Sequence, residues 1–310
     1  MKIHHLEYFI ALAAKGNFGE AAQVCHVTQP AMSMAIKSFE ERLGEKLFIR
    51  QGSPIMLSPF GEEILPHAQR IVFEYQSMLA LGEKLDNLGG ELRIAIIPTI
   101  APYLLPRLIA RLRKRLPHIK LIIEEQLTTN IIDKINCNEL DVGIAATPIE
   151  GSKLEEAFLY REVFMLYGAA EPKKKFIFPK DIDVSELWIL QEGHCLRDQI
   201  IDLCELQKRK PQDIQYQAGS IETLMNLVDQ YGGLTIVPEM AAKALSPSRS
   251  KRLQLFQKPA PVREVSLIYH PYTIKSDLLE LLADIIKQII PGHQPERSAY
   301  HTIPVRNYAQ

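Results

Sequence analysis

Apolar residues in the first 58 positions recur at the spacing of helices and then of short strands. The pattern predicts three helices, each with one core-facing stripe. These stripes are Leu6, Phe9, Ile10 and Ala13; Phe18, Ala21, Ala22 and Cys25; and Met32, Ile36, Phe39 and Leu43. Gly16 and Gly44 are typical of helix ends, and Thr28 is a suitable N-cap for the third helix. Residues 47–57, interrupted by a polar turn at 51–54, predict a β-hairpin.

A long helical pattern follows from Pro59 to Leu88, with more apolar positions than one packed face needs. Its main stripe is Ile64, Ala68, Ile71, Tyr75, Met78 and Leu85, and its flanking stripe is Leu65, Val72 and Leu79. We expect residues 59–89 to form a linker helix that pairs with a second copy as a dimerising coiled coil. The alternative is a helix that packs on its own domain.

Strand and helix patterns alternate after Gly89 and Gly90, which is typical of α/β domains with a parallel sheet. The region is long for one sheet, so we expect two α/β lobes joined by chain crossings. Residues 1–58 would form the N-terminal helical domain, residues 90–160 and 265–292 the first lobe, and residues 161–264 the second lobe. Residues 293–310 show no periodicity and are expected to be a disordered tail.

Composition limits the class of protein. The 310 residues are 46% hydrophobic and 24% charged, with a formal net charge of −1. These values exclude a mostly disordered, collagen-like or coiled-coil-only chain. Four cysteines are too few for a disulfide scaffold and suit a reducing compartment. The start lacks a signal-peptide pattern, and the longest uncharged apolar stretch, residues 94–106, is too short for a membrane span, so we expect a cytoplasmic protein without membrane contact.

The outward face of the third predicted helix carries Gln29, Ser33 and Lys37. Two short helices and a tight turn that present such a face predict a helix-turn-helix. Gln can bond adenine, Ser can bond bases or phosphates, and Lys can meet phosphate or guanine. Arg50, beside the hairpin turn, can reach phosphate or the minor groove. The alternative is a solvated polar face, because residues 1–58 carry only six basic residues against five acidic ones.

The same segment closely resembles the winged helix-turn-helix of LysR-type transcriptional regulators. The resemblance rests on residues 18–22, 27–33, 36, 39–40, 43–44, 47–48, 50 and 57–62. It implies DNA contacts by Thr28, Gln29, Pro30, Ser33, Lys37 and Arg50. It also implies two Rossmann-like α/β regulatory subdomains, arranged like a periplasmic binding protein, and a homodimer or homotetramer that acts on double-stranded promoter DNA with RNA polymerase. Gly19 and Glu20 depart from the family, which often has a hydroxyl and a basic residue there.

A second group of chemically active residues lies around Cys195, which follows His194 and precedes Arg197. A helix N-terminus and nearby cations favour the reactive thiolate. If residues 195–204 are helical, Cys195 and Cys204 lie about 13 Å apart along the axis, whereas a disulfide requires Cα atoms within about 7 Å. Oxidation would then require local unwinding. The alternative is that both cysteines are small buried hydrophobic residues. For Cys25 and Cys137 we favour that structural interpretation.

Residues 192–204 resemble the redox loop of the OxyR subfamily, the peroxide-sensing LysR-type activators, and residues 97–106 resemble its first strand-to-helix turn. The resemblance implies that hydrogen peroxide oxidises Cys195 and that Cys204 resolves the product as a disulfide, which a disulfide-reducing system restores. Further implied roles are peroxide binding by Thr99, Thr128 and His194, support by Arg197 and Asp198, and positive charge from Arg263. Tyr231-Gly232-Gly233 departs from the more usual Gly-x-Gly.

No metal or cofactor site is expected, because the histidines lack metal-ligand spacing and no phosphate-binding glycine loop occurs. Two other functions remain open from the residues. One is a LysR-type regulator that binds a small organic ligand in the cleft between the lobes. The other is a thiol peroxidase, although an enzyme has no need of a helix-turn-helix and a long dimerising helix.

Overall fold

The N-terminal domain is helical, as its apolar pattern predicted. The computed structural model describes residues 2–49, 54–84, 90–172, 174–204, 219–290 and 300–305. The first helices are α1 (Ile3–Lys15), α2 (Phe18–Val24) and α3 (Gln29–Leu43). The Asn17 side chain caps α2 by accepting from two backbone N–H groups, and the Thr28 hydroxyl caps α3 by accepting from Ala31. Gly16 and Gly44 end α1 and α3 with positive φ angles.

Strands β1 (Phe48–Ile49) and β2 (Met56–Leu57) form the antiparallel hairpin, and α4 (Pro59–Lys84) follows. The three stripes converge on one core that includes the fully buried Phe9, Ile36 and Phe39. Glu40 is also buried in this domain, and its carboxylate accepts hydrogen bonds from the Leu47 backbone and the Lys46 amine. The carboxylate therefore anchors the hairpin to α3.

Some apolar side chains of helix α4 pack against the rest of the chain, and others are exposed to solvent. Ala68 and Val72 are buried against the N-terminal core, and the Phe73 ring stacks on His270 with centroids 5.9 Å apart. Ile71, Met78 and Leu79 remain exposed. The packing of Ala68, Val72 and Phe73 on the same chain agrees with the alternative considered from the sequence, and the pairing of α4 with a second copy stays a prediction. Residues 85–89, the end of the predicted linker, lie outside the described residues.

The α/β region is built on a mixed sheet with strand order β4-β3-β5-β10-β6-β9-β7. Its strands are β3 (Glu91–Ile96), β4 (Lys120–Glu125), β5 (Val142–Thr147), β6 (Glu155–Gly168), β7 (Phe176–Ile177), β8 (Leu234–Pro238), β9 (Leu253–Phe256), β10 (Ala260–Tyr269) and β11 (Tyr300–Thr302). The predicted parallel pairing holds for β3 with β4 and β5. It is wrong for β10, which runs antiparallel to β5 and β6.

Two long strands, β6 and β10, connect two lobes with separate hydrophobic cores. The remaining helices are α5 (Ala101–Arg115), α6 (Thr128–Asn136), α7 (Cys195–Leu203), α8 (Ile221–Tyr231), α9 (Glu239–Lys243), α10 (Pro247–Ser250) and α11 (Ser276–Ile289). Helices α5, α6 and α11 pack in the first lobe, which we call subdomain I, and α7, α8 and α9 pack in the second lobe, subdomain II. The expected two-lobed α/β architecture is therefore confirmed.

The expectation of a disordered C-terminal tail is wrong for residues 300–305. Strand β11 pairs in parallel with residues Ala260–Val262 of β10, and Ile303 and Val305 are 3% and 2% exposed. Two buried apolar side chains and a strand ladder compensate the ordering entropy of this short segment. Residues 293–299 and 306–310 of the predicted tail lie outside the described residues.

No helix in the described part of the chain is long and apolar enough to cross a membrane.

The glycine pair at the end of α8 has a local structural reason, since Gly232 and Gly233 both have positive φ angles. A Cβ on Gly233 would also collide with the backbone of Glu186 and the ring of Trp188. The departure noted at residues 231–233 therefore corresponds to a turn that requires glycine.

Candidate redox and DNA-binding sites

Helix α7 carries Cys195 at its first position and Cys204 as its C-cap. Gly193, with φ of +94°, turns the chain into the helix, and a Cβ there would lie 3.0 Å from Leu127. Leu196 and Ile200 are fully buried in the core of subdomain II and hold α7 in place. The helical geometry predicted for this segment is therefore present, and packing rather than capping fixes its position.

Residues from three distant segments meet beside Cys195, which is 4% exposed. Thr99 follows β3, Thr128 begins α6, and Arg263 lies on β10. All three are buried. The Arg263 guanidinium donates to the Thr99 hydroxyl at 2.9 Å and to the Thr99 carbonyl at 3.2 Å. Cys195, which packs in the core of subdomain I although the rest of α7 packs in subdomain II, thus lies where residues of both lobes meet.

Burial raises the pKa of the Cys195 thiol. The Arg263 charge, the nearby Thr128 hydroxyl and the Leu196 backbone N–H oppose this effect, whereas Asp198 adds to it. The sequence pattern favoured the thiolate, and the net direction in this conformation is the reverse. At neutral pH the thiol form therefore predominates, and Arg263 is the main charge that favours ionisation.

Sequence reasoning missed Glu162, a buried carboxylate that holds Arg263. Glu162 on β6 is 2% exposed, and it accepts from Arg263 Nε at 2.8 Å and from Nη2 at 2.6 Å. Its second oxygen accepts from the Met240 backbone at 3.0 Å. Burial lowers and Glu162 raises the pKa of Arg263, with a net rise, so the guanidinium stays charged. A charged residue in the middle of an apolar β-strand was the available signal, because buried charges are usually paired.

The other predicted peroxide-site residues occupy the turn that leads into α7. His194 is the N-cap residue, 4% exposed, and burial lowers the pKa of its ring. Asp198 is buried on the first turn. Arg197 is half-buried and donates to the Leu190 carbonyl at 3.2 Å, so it braces the preceding loop. The basic residue that perturbs Cys195 is therefore Arg263, and not its near neighbour in sequence.

Cys204 is a free thiol at the opposite end of α7, half-buried against the core of subdomain II. Burial raises its pKa to about 11. The nine-residue helix between the two cysteines separates them by about 13 Å along its axis, so a disulfide requires that α7 unwind. The described conformation is the dithiol form.

The predicted DNA-binding residues lie together on the free side of α3. Thr28, Gln29, Pro30 and Lys37 are exposed and Ser33 is half-buried, while the opposite face of α3 buries Met32, Ile36 and Phe39. The Lys37 amine lies 3.8 Å from the Glu41 carboxylate in an exposed ion pair. Separating these two charges costs little free energy, because both are in water. Arg50 lies outside the described residues.

The two remaining cysteines line one cavity of about 260 Å³ between the N-terminal domain and subdomain I. Cys25 caps α2 and Cys137 caps α6, and burial raises their pKa values to about 11 and about 12. Lys15 pairs with Asp133 beside them at 3.2 Å. Their structural role was predicted, but their shared location at a domain boundary was not.

Comparison with known proteins is consistent with this arrangement. Residues 3–62 match the family described as bacterial regulatory helix-turn-helix protein, lysR family, and residues 86–290 match the LysR substrate binding domain. The chain is 30% identical over 300 residues to the DNA-binding transcriptional dual regulator OxyR of Escherichia coli K12, covering 94% of this chain and 97% of the relative. It is 31% identical over 291 residues to the HTH-type transcriptional regulator EstR of Acinetobacter baylyi, covering 93% and 96%.

A solved full-length OxyR variant from Pseudomonas aeruginosa is similar in structure. It aligns with a TM-score of 0.63 and 31% identity, over 93% of this chain and 98% of that chain. Identity to relatives named for peroxide response and to EstR is nearly equal. Overall similarity therefore establishes the architecture. It does not distinguish the signals to which such regulators respond, so that distinction has to come from the residues around Cys195.

Proposed function

The chain belongs to the LysR family of bacterial transcriptional regulators, and we propose that it senses hydrogen peroxide through Cys195 and Cys204. One observation carries this proposal: two free thiols lie at the two ends of one helix, and the first lies beside Thr128 and beside Arg263, which is hydrogen-bonded to Thr99. Hydroxyl donors and a buried cation are suited to a small polar oxidant and to the negative charge that develops on its leaving oxygen.

The proposed chemistry has two balanced steps. The Cys195 thiolate attacks one peroxide oxygen, the O–O bond breaks, and the leaving hydroxide takes up a proton, so that Cys195 becomes a sulfenic acid and one water is released. The Cys204 thiol then attacks the Cys195 sulfur, which expels a second water and forms the disulfide. The two cysteines lose two electrons, which peroxide accepts. A dithiol reductant reverses the change by thiol–disulfide exchange.

The regulatory step in this proposal is the unwinding of α7. Bringing the two sulfurs together removes a helix that buries Leu196 and Ile200 in subdomain II. Two packings of one segment, selected by the redox state, form a two-state element. We propose that the change alters how the chains of a homodimer or homotetramer present α3 to promoter DNA and to RNA polymerase in the cytoplasm. The exposed Ile71, Met78 and Leu79 on α4 support pairing of chains.

Mass spectrometry combined with promoter binding tests the redox proposal. Stoichiometric peroxide should remove two hydrogens per chain, with Cys195 and Cys204 in one cross-linked peptide pair, and promoter occupancy should change over the same titration. Reduction by a dithiol should restore both. Promoter occupancy that responds to an organic metabolite, with both thiols still free, would contradict this proposal and favour a ligand-responsive regulator. Rapid catalytic peroxide turnover without promoter affinity would favour a thiol peroxidase.

The face of α3 that contains Gln29, Ser33 and Lys37 is proposed to read DNA. We expect Gln29→Ala to lower specific affinity by about ten- to a hundredfold, since a bidentate base contact discriminates by about 1–3 kcal/mol. Non-specific affinity should change little. Lys37→Ala should weaken both kinds of binding and reduce the slope of the salt dependence by about one. Fluorescence anisotropy at several salt concentrations measures these effects.

Gln23 provides a matched control for this experiment, because it is an exposed glutamine on α2 rather than α3. Gln23→Ala should leave the ratio of specific to non-specific affinity unchanged. Equal effects of Gln23→Ala and Gln29→Ala would contradict the assignment of α3 as the base-reading helix.

A further inference from the structure

Residues 300–305, which we call the C-terminal strap, tie the two lobes together next to the redox helix. Strand β11 extends the sheet by pairing with β10, and the Ile303 backbone N–H donates to the Val262 carbonyl at 3.0 Å. Two residues later, Val305 donates to the Pro148 carbonyl at 2.9 Å, and its own carbonyl accepts from Glu150 at 3.1 Å. The strap is therefore held by backbone hydrogen bonds at both of its ends.

The apolar side chains of the strap enter different cores. Ile303 belongs to the core of subdomain II, whereas Val305 belongs to the core of subdomain I. A short segment with one anchor in each lobe restrains movement of the lobes about β6 and β10. Loss of either anchor would remove this restraint and leave β6 and β10 to connect the lobes.

Helix α7 holds the strap through one side chain. Gln199, in the middle of α7, is 0% exposed, and its Nε2 donates to the Ile303 carbonyl at 2.7 Å. The Oε1 atom of the same amide has no hydrogen-bond partner within the described residues. The hydrogen bond to Ile303 therefore offsets only part of the free-energy cost of burying this amide. The contact also depends on the position of Gln199 in the helix.

We propose that Gln199 is a clamp that couples the redox state of α7 to the C-terminal strap, so that formation of the Cys195–Cys204 disulfide releases the strap. This inference rests on the proposed redox function. Gln199 lies between the two cysteines, and unwinding the helix to join them displaces its side chain from Ile303. The strap then loses its side-chain link to α7, and the lobes gain freedom to rotate.

Hydrogen–deuterium exchange on the full-length protein tests the clamp in two ways. The amides of Ile303 and Val305 should be protected in the reduced wild-type protein. Stoichiometric peroxide should raise their exchange rates by at least about tenfold, as one lost buried hydrogen bond implies. Reduced Gln199→Ala should show the same increase without peroxide. Gln230→Ala, an exposed glutamine on α8, is the control and should keep the strap protected.

The outcomes separate this inference from the redox proposal. A disulfide that forms while Ile303 and Val305 keep their protection overturns the clamp and leaves the redox proposal intact. Deprotection in Gln199→Ala, with no disulfide in peroxide-treated wild-type protein, would show that Gln199 holds the strap but would overturn the redox proposal and the redox coupling that rests on it. Wild-type exchange before and after oxidation requires no substitution, so instability of Gln199→Ala cannot obscure the result.

Discussion

Replacing Cys195 with serine should abolish the peroxide response, with neither a sulfenic acid nor a disulfide detected. A serine hydroxyl is similar in size but is not ionised at neutral pH and does not attack the O–O bond. Because Cys195 is buried at the start of α7, the substitution should leave the helix and the dithiol-like conformation in place. Promoter binding by Cys195→Ser should therefore match reduced wild-type protein at every peroxide concentration.

Cys204→Ser should give a different result, since the first step remains and the second cannot occur. Peroxide should add one oxygen to Cys195 without forming the intramolecular disulfide. The matched control is Cys25→Ser, which alters a half-buried thiol at the domain boundary. In the Cys25→Ser protein, Cys195 and Cys204 should be oxidised at the wild-type rate. A full response in Cys195→Ser would contradict the redox proposal, as would loss of the response in a folded Cys25→Ser protein.

Replacing Arg263 should have the second-largest effect, on both stability and reactivity. Arg263→Met leaves Glu162 buried without its cation, which costs about 3 to 5 kcal/mol. In a domain of this size that lowers Tm by about 10 °C. Loss of the cation also raises the pKa of Cys195 further, so oxidation at neutral pH should slow by about tenfold for each pKa unit. Calorimetry and the rate of sulfenic acid trapping measure these two effects.

Glu162→Gln separates charge from structural damage. It should also destabilise the domain, but Arg263 loses its counter-charge and favours the thiolate more strongly, so oxidation should become faster. In both variants the rate should rise with pH as the raised thiol pKa is approached, with Arg263→Met requiring higher pH and Glu162→Gln lower pH than wild type. Equal slowing in both variants would show that only packing had been disturbed. The double variant Arg263→Met, Glu162→Gln should be more stable than Arg263→Met alone.

Local features of this protein were predictable because they depend on neighbours in sequence. The stripe Met32, Ile36 and Phe39 predicted the buried face of α3, and residues 195–204 predicted a helix with a cysteine at each end. The antiparallel pairing of β10 was not predictable, since alternation of strands and helices indicates the elements but not the direction in which a returning strand enters the sheet. The strap was missed because a short segment has too few residues to show periodicity.

The sequence by itself determined the helical DNA-binding domain, the two-lobed α/β class and the helix with a cysteine at each end, because spacing and motif encode them locally. Only the tertiary structure decided the charge environment of Cys195. Arg263, Glu162, Thr99 and Thr128 come from β10, β6, the end of β3 and the start of α6, and chain folding alone brings them together. The balance between burial and one paired cation decides the direction of the thiol pKa. That balance depends on distances and exclusion of water, which a linear pattern does not contain.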